Sequence, residues 1–144
     1  MLGPMMRHLT SEAEVRSAWP VMGQLRTHHT EESFVATTRR TMAAAEPYRL
    51  SAWIEDDRVL AVAGHRRGEA LAWGRYVYVY DLVSDEAARG RGAAWRLVTA
   101  LADEARAAGY EQLHLDSGVQ RFAAHRFYLR MGFDITSHHF QLKL

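Results

Sequence analysis

The densest concentration of chemically suggestive residues in this chain is Arg89-Gly90-Arg91-Gly92-Ala93-Ala94. It lies between a stretch that reads as a strand and one that reads as a helix. A strand ending in a glycine-rich turn that opens a helix leaves first-turn N–H groups unpaired, and the positive end of the helix dipole points the same way. Both features favour a phosphate. Glycines let the backbone approach a bulky pyrophosphate with no Cβ in the way. A dinucleotide-binding turn would want a third glycine where Trp95 stands, and would follow the first strand of a βαβ unit. A P-loop would want Gly-Lys-Ser/Thr, which is absent. The turn then binds some other phosphate, or is an ordinary strand-to-helix connection.

Three further side chains invite proton chemistry. Asp81 is the only carboxylate in the body of the strand that leads to the turn. A charge there is costly unless it is paired or functional. Its alternation groups it with Val77 and Val79. His125 precedes Tyr128 by three residues, so both fall near one face of a short helix. An imidazole titrates near neutrality, and a phenol is a donor at neutral pH. The pairs His28-His29 and His138-His139 have no second ligand cluster with zinc spacing, so no metal site is expected. There is no cysteine, which removes disulfides, thiolate metal sites and a Cys nucleophile.

The elements that must position these groups follow from periodicity and punctuation. Met5–Leu9 reads as a short strand. Ser11-Glu12-Ala13-Glu14 is a capping box that starts a helix, which Pro20 kinks or splits. A second helix runs from about Thr30 to Ala45. Strands are expected over Tyr48–Glu55, Arg58–Arg67 and Trp73–Ser84, the last being the longest, with turns at Asp56-Asp57 and Gly68–Ala70. A helix from about Gly92 to Ala108 ends at Gly109. Gln112–Ser117 is a short strand, Ala123–Met131 a short helix closed by Gly132, and Phe133–Leu142 a last strand. The order is β-α-α-β-β-β-α-β-α-β, an α/β fold with a mixed, mostly antiparallel central sheet flanked by helices. A length of 144 residues suits one domain, taken as 1–144.

Two of these blocks together resemble the GNAT superfamily of N-acetyltransferases. Arg89 to Ala94 fits the family's Arg/Gln-x-x-Gly-x-Gly/Ala pattern, with Asp81-Leu82-Val83-Ser84-Asp85 leading into it. Phe127-Tyr128-Leu129-Arg130-Met131-Gly132-Phe133 is similar to the family's Phe/Leu-Tyr-x-x-x-Gly-Phe block. The resemblance covers about Tyr48 to Leu144, and the N-terminal helices by topology alone. The chain departs from the pattern at Glu86, where proline is common, at Ala88, where an aromatic is common, and at Arg121, where a CoA-contacting asparagine is common.

The resemblance implies acetyl-CoA as cosubstrate. Its pyrophosphate would sit on the amides of Arg89, Gly90, Arg91, Gly92, Ala93 and Ala94. Its pantetheine arm would run along the backbone of Leu82, Val83 and Ser84, with the thioester carbonyl at a backbone N–H near Val83. Arg121 stands at a further cofactor-contacting position. An amine would attack the thioester directly, Tyr128 would be the general acid, and Asp81 or His125 would be candidates for the base. The tract from Arg121 to Tyr128 also resembles small bacterial members that acetylate small amines, aminoalkylphosphonates among them. The family's acceptor site nominates Trp19, His28, His29, Glu32, Tyr78 and Tyr80 as lining, and relatives that pair through C-terminal strands imply a homodimer.

The leading expectation is therefore acetyl transfer to a primary amine of a small molecule. A peptide or protein N-acetyltransferase and a non-catalytic acyl-CoA-binding regulatory domain are the alternatives. Composition narrows the field independently. Net charge is +1 with both signs interspersed, which argues against a nucleic-acid module. No apolar run approaches the roughly 20 residues of a membrane span, and Met1 to Arg7 lacks the apolar core of a signal peptide. A cytoplasmic location is the default.

Overall fold

The computed structural model describes residues 3–144. The chain divides into two compact units, one ending at His114 and the other spanning Leu115–Leu144. The elements in order are β1 (Met5–Leu9), α1 (Glu12–Ser17), α2 (Trp19–Leu25), α3 (Glu31–Met42), β2 (Arg49–Glu55), β3 (Arg58–Ala70), β4 (Gly74–Ser84), a single 3-10 turn (Glu86–Ala88), α4 (Ala93–Ala107), β5 (Gln112–Leu115) and α5 (Phe122–Arg130). The sheet has five strands in the order β1-β2-β3-β4-β5. The first three pairings are antiparallel.

Local chemistry explains the element boundaries of the first unit. Ser11 accepts from the Glu14 N–H while the Glu14 carboxylate accepts from the Ser11 N–H, which completes the capping box of α1. Pro20 splits the expected first helix at Ala18, and sits at the start of α2 where a missing N–H costs nothing. Thr30 and Ser33 cap α3 reciprocally. Asp56 and Asp57 both have positive φ, +50° and +59°, the conformation a tight hairpin needs to match strand twist. The turn expected at Gly68–Ala70 is instead the end of β3, which at 13 residues is longer than the 11-residue β4. The chain reverses at residues 71–73.

The core lies on both faces of the sheet. On one face Val15, Val21, Met22, Phe34 and Val35 from α1 to α3 pack against Leu9, Leu50, Ala52 and Val62. On the other, Ala93, Leu97 and Leu101 of α4 pack against Leu60, Ala61 and Ala63. Period-2 alternation along β2 and β3 sends successive side chains to opposite layers. Two bulges interrupt this. Trp53 pairs with Ala61 but Ile54 pairs with Val59, so Leu60 has no opposite residue on β2 and joins Ala61 in one layer. Gly64 pairs with Asp81 but His65 pairs with Val79, so Tyr80 has no opposite residue.

The second unit corrects one expectation. No strand forms over Phe133–Leu142 among the described residues. The alternation of Phe140 and Leu142 is strand-like, but both side chains are exposed and the backbone enters no ladder. Alternation marks a surface that can be half buried; a strand also needs a partner edge. Gly132, at φ +98°, closes α5, and the Phe133 N–H donates to the Tyr128 carbonyl at 3.0 Å.

Candidate active site

The glycine-rich turn has the geometry its sequence implies. Gly90 and Gly92 have φ of +85° and +73°, and a Cβ at either would meet no atom within 4 Å. Gly92 is the N-cap of α4, no side chain caps that first turn, and no acidic residue stands in it. The first-turn amides therefore face open space with the helix dipole behind them. Arg91 and Arg96 flank the turn and share Glu55, at 3.5 Å and 3.4 Å. These residues fit a diphosphate.

The approach from β4 is rigidly held. The Asp85 carboxylate accepts from the Ala87 N–H at 3.2 Å, from Gln24 at 3.1 Å and from Arg58 at 2.9 Å. These donors, Gln24 foremost, hold its carboxyl below the usual range. Gln24 in turn accepts from the Glu86 N–H at 2.9 Å, so α2 clamps both sides of the bend. Leu82, Val83 and Ser84 run beside Ala63, Val62 and Ala61 up to that bend.

Asp81 opens onto a cavity of about 340 Å³ between α2, α3, β3 and β4. The bulge at Tyr80 resets the alternation, so Tyr80 and Asp81 line the same cavity although they are neighbours in sequence. Both carboxylate oxygens of Asp81 are engaged. Oδ1 accepts from Arg26 Nε at 2.7 Å, and Oδ2 accepts from the Tyr48 hydroxyl at 2.7 Å. Arg26 also donates to the Tyr80 carbonyl at 2.9 Å. Burial, then the adjacent Asp81 charge, pushes the Tyr48 phenol well above its usual value. Gly64 makes this possible: a Cβ there would collide with the Tyr48 hydroxyl and stand 2.8 Å from Asp81 Oδ2.

Of the acceptor residues expected from sequence, His28, His29 and Tyr80 line this cavity. Trp19 instead packs on Phe34, Glu32 pairs with Arg16, and Tyr78 stacks on Tyr80 at 5.0 Å. Sequence reasoning missed Arg26, Tyr48 and Arg66, which also line it. Gly64, a lone glycine inside a strand, was a signal of close approach that could have pointed there.

In the second unit Tyr128 is buried at 8% exposure, its ring edge-on to Phe127 and Phe133. Burial raises the phenol above its usual value, opposed by Arg121. The phenol is therefore fully protonated at neutral pH. His125 Nε2 lies 2.7 Å from the Gly118 carbonyl. A carbonyl can only accept, so that nitrogen carries the proton and is committed to the loop. Arg121 is the N-cap residue of α5 and is exposed.

A second polar chain lies on the α4 face. Glu104 contacts His8 Nε2 at 2.8 Å, His8 Nδ1 contacts the Ser51 hydroxyl at 2.7 Å, and Ser51 contacts His65 Nε2 at 2.9 Å. The order resembles a nucleophile relay, but Ser51 is 0% exposed and no substrate can reach it. Burial, with repulsion from His8, Arg49 and Arg67, pushes His65 down to about 3.

Residues 12–133 match the family model described as the acetyltransferase (GNAT) family. The chain belongs to the GNAT acetyltransferase family. A curated relative, an uncharacterised N-acetyltransferase of Bacillus subtilis (strain 168) named YhdJ, is 34% identical over 137 residues, covering 94% of this chain and 96% of the relative. Among solved structures, a transcriptional regulator from Bacillus halodurans C-125 superposes with a TM-score of 0.84 at 17% identity, covering 98% and 99% of the two chains. The aminoglycoside N-acetyltransferase AAC(6')-Iy in complex with CoA superposes with a TM-score of 0.79 at 15% identity, covering 99% and 97%. These two likenesses show the fold. As a GNAT-family enzyme the protein is an N-acetyltransferase with acetyl-CoA as cosubstrate. Among the described residues no helix is long and apolar enough to cross a membrane.

Proposed function

We propose that this acetyltransferase acts on the primary amine of a small molecule held in the cavity beside Asp81. The observation that carries this reading is the position of Asp81. It faces a cavity of about 340 Å³ and immediately precedes the Leu82–Ser84 backbone. That volume suits a small molecule.

The turn from Arg89 to Ala94 binds the CoA pyrophosphate through its amides, with Arg91 nearby, and the Leu82 to Ser84 backbone carries the pantetheine arm. A backbone N–H near Val83 polarises the thioester carbonyl. Arg121 contributes charge toward the same cosubstrate. Asp81 accepts a hydrogen bond from the substrate ammonium and takes its proton, passing it to solvent. The freed nitrogen lone pair forms the C–N bond to the acetyl carbon as the C–S bond breaks. Tyr128 gives its phenolic proton to the departing sulfur and is restored by the proton that the acylated nitrogen loses. The Tyr128 role rests on its sequence block and on its protonated phenol. His125, committed to Gly118, orients the start of α5 rather than acting as the base.

Thiol release from acetyl-CoA, measured across amino acids, polyamines, aminoglycosides, amino sugars and short peptides, tests this reading. Release that requires one class of small amine supports it. Release with peptides alone would overturn it in favour of a protein acetyltransferase.

A further inference from the structure

The acceptor cavity carries an unmatched positive charge. Among the described residues that line it Asp81 is the only carboxylate, and Asp81 is already paired with Arg26. Arg66, on β3, remains. Its guanidinium carbon lies 5.4 Å from the Tyr48 ring centre and 5.2 Å from that of Tyr80. Its Nε donates to the Glu46 carbonyl at 3.2 Å. Among the described residues no carboxylate lies within ion-pair distance of it. Cation–π contact with two rings and the Nε bond to one carbonyl hold the guanidinium and leave its terminal nitrogens for another acceptor. A planar fork held this way suits a carboxylate or phosphate oxygen pair. His28 and His29 stand on the same cavity and bring no negative charge to it.

We infer that the acceptor is a compact amine that also bears an anionic group, a carboxylate, phosphate or phosphonate, bound by Arg66 while its ammonium meets Asp81. Tyr48 measures the distance between the two. Its hydroxyl touches Asp81 and its ring carries Arg66, so the opposite charges stand one tyrosine ring apart. That separation fits an amine and an acid divided by a few bonds. A polycation such as an aminoglycoside or polyamine would bring its extra ammonium groups against Arg26 and Arg66 and be disfavoured. The inference rests on the assignment of this cavity as the acceptor site.

Matched amines test it in the thiol-release assay with acetyl-CoA. The pairs are 3-aminopropanoate against its amide, and 2-aminoethyl phosphate against ethanolamine, with spermidine as the polycation. Each acid is expected to exceed its neutral partner in kcat/KM by about tenfold or more, and the stronger of the two identifies carboxylate or phosphate. In Arg66→Gln that preference disappears, with KM for acetyl-CoA unchanged and melting temperature confirming the fold; Arg66→Lys keeps part of it. Equal or better turnover of neutral amines or spermidine would overturn the inference and leave the transferase reading standing. So would a preference for acids that survives intact in folded Arg66→Gln. No release with any amine, acidic, neutral or peptide, would overturn the acceptor assignment and this inference with it.

Discussion

The Tyr48 hydroxyl reaches Asp81 Oδ2 at 2.7 Å through space that exists only because residue 64, directly opposite Asp81 on β3, is glycine. Three elements thus converge on one carboxylate: Tyr48 just before β2, Gly64 in β3 and Arg26 at the end of α2. Gly64→Ala is expected to break the contact, because the added methyl meets the phenol. Amine kcat/KM should fall about tenfold or more while KM for acetyl-CoA stays within about twofold. Tyr48→Phe should reproduce much of that loss. Steady-state kinetics with each substrate varied separately would check both variants.

Tyr128→Phe keeps the ring packing against Phe127 and Phe133 and removes only the hydroxyl proposed as the general acid. The expected result is a kcat lowered by about a hundredfold, the usual scale for a general acid. Acetyl-CoA binding, measured by calorimetry, should be unchanged. Because burial raises the phenol above its usual value, the wild-type rate should hold at high pH beyond the range of an exposed tyrosine.

Gly92 caps α4 in a left-handed conformation at φ +73°. Gly92→Ala meets no steric obstacle from neighbours, so its cost is conformational, about 1–2 kcal/mol. Distortion of the turn should raise KM for acetyl-CoA several-fold, with a smaller effect on the amine's KM. Kinetics and a thermal melt separate the two contributions.

His65 gives the fold a pH signature. The folded state keeps it neutral down to about 3, whereas the unfolded chain protonates it near 6.5. Between those values the unfolded state binds more protons, so stability falls as pH drops, by at most about 1.4 kcal/mol per pH unit. His65→Gln removes the titrating group and should flatten the decline. Urea midpoints of both proteins at about pH 7 and about pH 5 would show it.

Much of this was legible in local sequence, and the reasons it was legible are local. Ser11 with Glu14, Pro20, Asp56-Asp57 and Gly92 each act within a few residues, so one stretch of chain announces the cap, break, turn or left-handed helix start. The α4 stripe of Leu97, Leu101 and Ala105 is likewise set by one helix face. The cavity was not legible in the same way. Asp81 was expected to follow Val77 and Val79, but the unpaired Tyr80 shifts the alternation, and a bulge is defined only by the register of the facing strand. Arg66 and Tyr48 meet across the sheet, and no pattern near either one signals that. The expected strand over Phe133–Leu142 failed for a related reason: alternation describes a strand's faces and says nothing of a partner for its edge.

The claim that the Asp81 cavity is the acceptor site is tested most directly by Asp81→Asn, with kcat/KM for the best amine and KM for acetyl-CoA measured on the same preparation and melting temperature as a check on folding. We predict a loss of about a hundredfold or more in amine kcat/KM, with acetyl-CoA binding intact. A folded Asp81→Asn enzyme that acetylates the amine at close to the wild-type rate would contradict the assignment and place the acceptor elsewhere.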